Sequence, residues 1–267
     1  MLSLSKCKIC ETFDFIEQEV LILRESKQTL KQCKFCWCAF FENPKWLEKS
    51  YQRAITDLDT GILQRSDDIA NVLTPFIIAK KGNQRGIDFG GGYGLLARRL
   101  RDRGFEWQSI DPMVENIFQY QTEPPVQSYG IVSLIEVLEH LVDPLEEMAK
   151  LANISEQIYI STLMIEPNFQ NPTWWYLQPE TGQHIFFLSK KSLKIIAAKM
   201  NMYAYTNGSN LHVLSHSKIT TRQKWILEHQ KIAWGIGFLL GAQRRRNSLA
   251  RQDYFNNLYK LEKEINS

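Results

Sequence analysis

Hydrophobic and polar residues alternate with two different periods along this chain. Short segments with apolar residues at 86–89, 107–110, 131–135 and 158–162 are typical of strands. Between or after them, residues 95–103, 144–152 and 190–200 carry apolar side chains at helical spacing. This alternation of strands and helices predicts an α/β fold, with a doubly wound and mainly parallel sheet.

The segments on either side of this alternation predict further elements. Residues 202–206 and 211–214 flank the sequence NGSN, a strong turn signal, and predict a hairpin with an antiparallel edge strand. Upstream, the pattern predicts helices near 44–55 and 66–80. The second would begin with Ser66 as N-cap, followed by Asp67 and Asp68.

Composition and charge narrow the class of protein. A chain of 267 residues, 44% of them hydrophobic, can bury a full core. No run of 18 apolar residues occurs, and the N-terminus lacks the order of a signal peptide, so we expect a soluble, cytoplasmic protein. The net charge of +3 is too small to suggest nucleic acid as a partner.

The charge is nevertheless uneven. From Lys218 onward there are ten Lys+Arg against four Asp+Glu, a net +6. This tail contains AWGIGFLLGAQRRR at 233–246, which is too short to span a bilayer. Packing of a helix on the protein or on a partner is the simpler interpretation, and weak contact with a membrane surface is the alternative.

All five cysteines lie within the first 38 residues. Cys7 and Cys10 form one Cys-x-x-Cys pair, and Cys33 and Cys36 form another, which is the spacing of a four-thiolate zinc site. Cys38 could replace Cys36 as the fourth ligand. Four thiolates leave no position for a substrate, so the predicted zinc is structural. We therefore expect a zinc ribbon at 1–42, a helical connector at 43–82, a main domain at 83–217 and a basic helical tail at 218–267.

The stretch RGIDFGGGYG, residues 85–94, follows the first predicted strand of the sheet. A P-loop would need Lys-Ser/Thr after the glycines, and a G-x-G-x-x-G fingerprint would need glycine at position 95. The motif is instead D-x-G-x-G-x-G, from Asp88 through Gly90 and Gly92 to Gly94. Such glycines let the backbone approach a bulky ligand closely. Asp111, at the end of the next strand, can accept both hydroxyls of a ribose.

These segments resemble the class I S-adenosylmethionine-dependent methyltransferases over roughly residues 83–215. The resemblance rests on DFGGGYG (88–94), SIDP (109–112) and YGIVSLIEVLEHLVDP (129–144). It implies that S-adenosylmethionine is the cofactor, that Asp88 lies near its methionine part, and that Asp111 holds its ribose. It also implies cofactor contacts for Glu136 and for the turn residues Gly90, Gly92, Tyr93 and Gly94, and a mainly structural role for His140. The family's third strand has no assignable match, and NAD is the second candidate as cofactor.

A long aromatic loop, NPTWWYLQPETGQHIFFLS at 171–189, follows the last parallel strand. Open α/β sheets bind ligands at the carboxyl ends of strands, so this loop is where we expect the acceptor. His184 is the predicted general base or its relay, because its ordinary pKa lies nearest neutrality. Tyr176 and Glu180 would orient the acceptor. Trp174 and Trp175 would either contact its apolar side or pack in the core, which is the commoner role of a Trp pair.

The whole arrangement also resembles the zinc-containing methyltransferases of deoxysugar and surface-glycan biosynthesis. In their sugar C-methyltransferases a Tyr and a Glu-His pair handle the proton, whereas this chain has Gln183-His184. The resemblance therefore favours methyl transfer to a small molecule, a sugar, a nucleotide-linked sugar or a glycan, with O-methylation at least as good a fit as C-methylation. Two alternatives without catalysis are a zinc-ribbon binding module and an assembly protein that keeps only the fold.

Overall fold

The computed structural model of the protein describes residues 6–51, 59–118 and 128–265. The chain divides into two compact units. Unit 1 comprises Met1–Thr56, Leu134–Asn153 and Ile158–Lys218, and unit 2 comprises Asp57–Ser133, Ile154–Gln157 and Ile219–Ser267. The domain boundaries expected from the sequence stay a prediction.

The strands, in chain order, are β1 (Phe15–Ile22), β2 (Ser26–Cys33), β3 (Ala39–Phe41), β4 (Gly86–Phe89), β5 (Trp107–Ile110), β6 (Tyr129–Ile135), β7 (Ser155–Ser161), β8 (Phe186–Phe187), β9 (Tyr203–Thr206) and β10 (Leu211–Ser215). The α-helices are α1 (Leu47–Ser50), α2 (Ile62–Ala79), α3 (Leu95–Arg101), α4 (Pro144–Ile154), α5 (Lys190–Lys199), α6 (Thr221–Glu228), α7 (Gln230–Arg244) and α8 (Ala250–Ile265).

The larger sheet has six strands in the described residues, in the order β5-β4-β6-β7-β10-β9. Strand β4 pairs in parallel with β5 and with β6, and β10 pairs antiparallel with β9. The turn before β10 is held by Asn207, whose Oδ1 accepts hydrogen bonds from three following backbone amides. The predicted α/β class, the mainly parallel sheet and the closing hairpin are therefore confirmed. Residues 119–127, between β5 and β6, lie outside the described residues.

Two helical predictions need correction. The helix predicted at 44–55 is only the four-residue α1, and residues 52–58 lie outside the described part. The helix predicted at 66–80 begins earlier, at Ile62 after Gly61, so the assignment of Ser66 as N-cap is wrong. The Ser66 hydroxyl instead donates to the carbonyl of Ile62 at 2.8 Å, one turn back inside the helix.

The helical tail packs within unit 2. Helix α7 lies against α2, and a side chain at Gly237 would overlap the backbone carbonyl of Asn71. Helix α8 is held by buried Asp253, whose carboxylate accepts hydrogen bonds from Arg98 and Arg101 of α3. Helix α7 thus packs through its small residues Ala233, Gly237 and Gly241, while most of the large apolar side chains of the tail stay exposed. In the described residues, none of the helices is long and apolar enough to cross a bilayer.

The outer face of α7 has exposed apolar side chains, so the predicted contact with a partner or a membrane surface can be tested there. Ile232, Phe238 and Leu239 are each more than half exposed, and Arg245 and Arg246 follow the helix. If this face contacts a membrane surface, the protein should float with anionic liposomes, and Ile232→Ser with Leu239→Ser should abolish flotation. Point variants are preferable to truncation at Lys218, because truncation would uncover α2. Equal flotation of the parent and the double variant would exclude a membrane role for this face.

Unit 1 contains a second, four-stranded sheet in the order β1-β2-β3-β8. Strands β1 and β2 form an antiparallel hairpin in which Phe15 pairs with Cys33 and Ile22 pairs with Ser26. Strand β3 pairs with β8, so the cysteine-rich segment and the end of the aromatic loop share one sheet. Their apolar core includes Phe41, Tyr176 and Phe187.

Candidate active site

The glycine turn follows β4 in unit 2. Gly90, Gly92 and Gly94 all have positive φ, a conformation that side-chain-bearing residues rarely adopt. Gly94 is the N-cap of α3, and a Cβ at that position would overlap the amide of Asn116. Gly91 was not singled out from the sequence, yet a Cβ there would overlap the Asp88 carboxylate. At Gly91 and Gly94, neighbouring polar groups therefore occupy the space that a side chain would take.

Asp88 is the next-to-last residue of β4, and its carboxylate is buried. The Ser133 hydroxyl donates to its Oδ1 at 2.6 Å. Burial raises the pKa of Asp88 to about 7, an effect that the Ser133 hydrogen bond opposes and the negative charge of Asp111 reinforces. Asp88 is thus poised to change its protonation state near neutral pH.

Asp111 lies just after β5 and holds two stretches of backbone. Its Oδ2 accepts a hydrogen bond from the Gly92 amide at 3.0 Å, and its Oδ1 accepts from the amides of Met113 and Val114. A carboxylate has about four lone-pair positions, so it can still accept from a ligand hydroxyl. Tyr93, in the same turn, is substantially exposed and can contact a ligand.

Asn116 is a further polar residue of this turn that the sequence did not indicate. The residue is buried, its Oδ1 accepts from the Phe118 amide, and its Nδ2 has no hydrogen-bond partner among the described residues. A buried amide donor without a partner is unfavourable unless a ligand supplies an acceptor. The bare turn, its two carboxylates and this amide fit a ligand with hydroxyls and a positive charge.

Unit 1 holds a second polar cluster, which begins at Glu136 after β6. Glu136 has φ of 54°, and its carboxylate accepts from the Ser161 hydroxyl at 2.6 Å and from the Tyr176 hydroxyl at 2.9 Å. Burial, together with the charge of Glu139, raises the pKa of Glu136 to about 8. A left-handed conformation in a residue other than glycine is strained, and such strain is common at functional sites.

Tyr176 joins Glu136 to a second buried carboxylate. Its hydroxyl also contacts Glu139, which is fully buried, and it lies 3.1 Å from the Thr162 hydroxyl. Burial raises the pKa of Glu139, and burial together with both carboxylates raises the pKa of Tyr176 well above its ordinary value. The single Tyr176 hydroxyl is therefore within hydrogen-bond distance of both the Glu136 and the Glu139 carboxyl groups.

Two histidines complete this cluster. Nδ1 of His184 is 2.7 Å from the Tyr176 carbonyl, and Nδ1 of His140 is 3.1 Å from the Gln183 carbonyl and 2.9 Å from the Tyr51 hydroxyl. The two imidazole rings meet edge to face, with their centroids 4.8 Å apart. His184 is buried, whereas His140 is partly exposed.

The structure thus brings together some of the predicted catalytic residues and not others. Tyr176 and His184 are in contact, but Glu180 is exposed on the turn before Gly182. Trp174 packs against the apolar core of unit 1, whereas the ring of Trp175 is 67% exposed. The sequence did not indicate Glu139 as a site residue; the available signal was its spacing of three from Glu136 in EVLEH.

The cysteine cluster in unit 1 has the geometry of a thiolate metal site. The Sγ atoms of Cys7, Cys10, Cys33 and Cys36 lie within 4.8 Å of one another, and no disulfide is present among these cysteines. The Cys10–Cys33 and Cys7–Cys36 contacts are 3.4 and 3.5 Å, near the spacing of about 3.8 Å that tetrahedral zinc–sulfur bonds would give. Cys38 lies 3.4 Å from Cys36 but is outside this set of four.

Comparison with known proteins identifies the family. Residues 62–205, more than half of the chain, match the model of a methyltransferase domain. The chain belongs to this family, and the class predicted from the glycine motif, an S-adenosylmethionine-dependent methyltransferase, is confirmed. A search of curated proteins finds no match.

Several solved structures are also similar. Magnesium protoporphyrin IX methyltransferase from Synechocystis PCC 6803, with bound SAH, is 13% identical, with a TM-score of 0.44 over 65% of this chain and 94% of that one. The plantazolicin methyltransferase BamL is 16% identical, with a TM-score of 0.45 over 72% of this chain and 83% of that one. The mitomycin 7-O-methyltransferase MmcR is 12% identical, with a TM-score of 0.39 over 66% of this chain and 68% of that one.

Proposed function

We propose that this protein transfers a methyl group from S-adenosylmethionine to a sugar, a nucleotide-linked sugar, a glycan or another small polar molecule. The observation that carries this proposal is the bare turn of unit 2, with Asp88, Asp111 and the unpartnered Asn116 amide, in a chain of the methyltransferase family. When bound, the cofactor supplies an activated methyl group on a sulfonium centre. The protein has to position an acceptor and manage its proton.

The residues assigned to the cofactor divide by chemistry. Gly90, Gly92 and Gly94 allow close backbone approach, and Tyr93 offers a ring. Asp111 would accept the ribose hydroxyls and Asp88 would lie near the positively charged methionine part. Glu136 is assigned from its motif alone. Asn116 joins this set, because its buried Nδ2 needs an acceptor.

The polar cluster of unit 1 supports an acceptor that bears hydroxyl groups. Glu136, Glu139, Tyr176 and His184 offer several hydrogen-bonding groups in a small volume, and the exposed ring of Trp175 suits the apolar side of a sugar. His184 remains the proposed proton acceptor, directly or as a relay. Its Nδ1 faces a carbonyl and therefore carries a hydrogen, so Nε2 is the basic nitrogen of the neutral ring. Glu180 is exposed and lies outside the polar cluster, so its proposed role in orienting the acceptor has less structural support than that of Tyr176.

The decisive experiment is transfer of a labelled methyl group. The purified protein should be incubated with methyl-labelled S-adenosylmethionine and separate pools of nucleotide sugars, surface glycans and small phenols. Label should appear in a carbohydrate pool and be strongly reduced, at a cofactor concentration below saturation, when Asp111→Ala replaces the parent. Incorporation only into phenols would exclude the carbohydrate acceptor but would still support methyl transfer.

Five free cysteines in the described chain also support our proposal of a reducing, cytoplasmic location.

We expect one structural zinc per chain, held by Cys7, Cys10, Cys33 and Cys36. Removing it, or making Cys33→Ser with Cys36→Ser, should destabilise strands β1, β2 and β3, because the free energy of metal binding contributes directly to folding. Cofactor binding should largely persist, because the glycine turn belongs to unit 2. Metal analysis and calorimetry on the same samples check both statements. Parent protein purified under reducing conditions without stoichiometric zinc would contradict the assignment.

We also expect cofactor affinity to depend on pH through Asp88. Its raised pKa of about 7 means that the carboxyl is largely neutral below pH 7, and a cationic ligand favours the ionised form. Affinity should therefore fall about tenfold from pH 8 to pH 6, as the free protein binds a proton that the complex must release. Asp88→Asn removes this titration but not that of the ligand, so the difference between the two profiles isolates Asp88. Parallel profiles would contradict the prediction.

A further inference from the structure

The polar cluster of unit 1 contains three potential metal ligands. Glu139, His140 and His184 each offer one ligand atom, and the three atoms lie within 4.8 Å of one another. Two imidazoles and one carboxylate form a common protein ligand set for zinc and other first-row divalent metals. This cluster is separate from the four cysteines.

The hydrogen bond of His184 defines which of its nitrogens can bind a cation. A backbone carbonyl only accepts, so Nδ1 of His184 donates to Tyr176 and the lone pair of the neutral ring is on Nε2. Nδ1 of His140 contacts the Gln183 carbonyl at 3.1 Å and the Tyr51 hydroxyl at 2.9 Å, and the lone pair is on Nε2 in the tautomer whose Nδ1 donates to Gln183. Metal-binding histidines usually hold their other nitrogen in this way, against a carbonyl or a carboxylate, which fixes the tautomer and the ring orientation.

The carboxylate provides a second and independent observation. Glu139 is 0% exposed, and its Oε2 has no hydrogen-bond partner within the described residues. Its Oε1 shares the Tyr176 hydroxyl with Glu136, and one phenol can donate only one hydrogen. No lysine or arginine of the described chain forms an ion pair with either glutamate. Two adjacent buried carboxyl groups without a basic partner are costly unless a cation or protons neutralise them.

We propose that Glu139, His140 and His184 bind a divalent first-row metal ion that holds an acceptor hydroxyl, with Glu136 as a candidate further ligand. The metal site stands on these contacts alone, whereas its role in catalysis rests on the proposed methyl transfer. A bound divalent cation makes a coordinated hydroxyl easier to ionise. The hydroxyl proton would leave to solvent, its oxygen would bond to the methyl carbon, and the methyl–sulfur bond would break with its electron pair staying on sulfur.

As a metal ligand, His184 would have a different role from that of a general base. A nitrogen lone pair that binds a metal cannot accept a proton at the same time. Metal dependence therefore separates the two roles, since a proton-accepting His184 would work without any added cation.

The test is a titration of the full-length protein with Mn²⁺, after exchangeable metal has been removed under reducing conditions. Mn²⁺ prefers oxygen and nitrogen ligands to thiolates, so the cysteine cluster should not compete for it. Free Mn²⁺ is followed by electron paramagnetic resonance. One bound ion per chain is expected, with affinity at least about tenfold weaker in Glu139→Gln and in His140→Gln. His216→Gln, which alters a histidine bonded to the Ala152 carbonyl, is the matched control and should bind like the parent.

Two outcomes would overturn the proposal: no Mn²⁺ binding by the parent, or equal affinity in the parent, Glu139→Gln and His140→Gln. Thermal unfolding of each sample establishes that it is folded. Should Glu139→Gln fail to fold, His140→Gln decides, because His140 is partly exposed and its replacement is milder. The titration needs neither cofactor nor acceptor. Failure to bind Mn²⁺ would therefore leave the methyl-transfer proposal standing, and failure of methyl transfer would leave the metal result unaffected.

Discussion

Replacing His184 by glutamine is expected to lower methyl-transfer turnover by about 10²–10⁴ while cofactor affinity stays nearly unchanged. Glutamine can keep a hydrogen bond to the Tyr176 carbonyl, so local structure should be disturbed little. It cannot supply the basic nitrogen, and the loss should appear in kcat. Single-turnover rates on an identified acceptor measure the chemical step, and calorimetry measures the cofactor.

The matched control for this prediction is His216→Gln, because His216 is a second histidine of unit 1 bonded to a backbone carbonyl and lies outside the polar cluster. Its turnover should equal that of the parent. A His184→Gln protein with near-normal turnover would remove His184 from catalysis. If the turnover of His184→Gln falls and added Mn²⁺ no longer changes that turnover, His184 acts by binding the metal.

Replacing Asp111 by alanine is expected to weaken cofactor binding by about 1.5–3 kcal/mol, roughly ten- to a hundredfold in affinity. The variant would lose the proposed charge-assisted bonds to the ribose. It would also lose the observed bonds to the amides of Gly92, Met113 and Val114, so the turn itself should loosen. Calorimetry with S-adenosylmethionine and with its demethylated product gives the change.

Asp111→Asn separates the two contributions, because its side-chain carbonyl can still accept from a backbone amide while the charge is lost. We expect its affinity to lie between those of the parent and Asp111→Ala. Unchanged affinity in Asp111→Ala, or tighter binding of NAD than of S-adenosylmethionine by the parent, would refute the cofactor assignment.

Local sequence was sufficient for features whose physical cause is local. Strands β4 and β5 have the bounds predicted from the sequence, 86–89 and 107–110, because short segments with apolar residues between turn signals favour strands locally. The hairpin at NGSN follows from the turn chemistry of Asn207. By contrast, Ser66 resembled a helix start, but the helix begins at Ile62, and the Ser66 hydroxyl donates to the Ile62 carbonyl inside it.

The sequence by itself determined the family, the mainly parallel sheet, the glycine turn with its two acids, and the pairs of cysteines, because each depends on residues close together in the chain. Only the tertiary structure decided which side chains of the long aromatic loop meet Glu136 and Glu139. His184 lies more than 40 residues beyond them, and Glu180, only four residues before it, is exposed. Such contacts depend on how strand β8 pairs with β3 and on which groups burial removes from water. No local sequence pattern carries that information. The same tertiary contacts place Trp174 against the core and leave the neighbouring Trp175 at the surface.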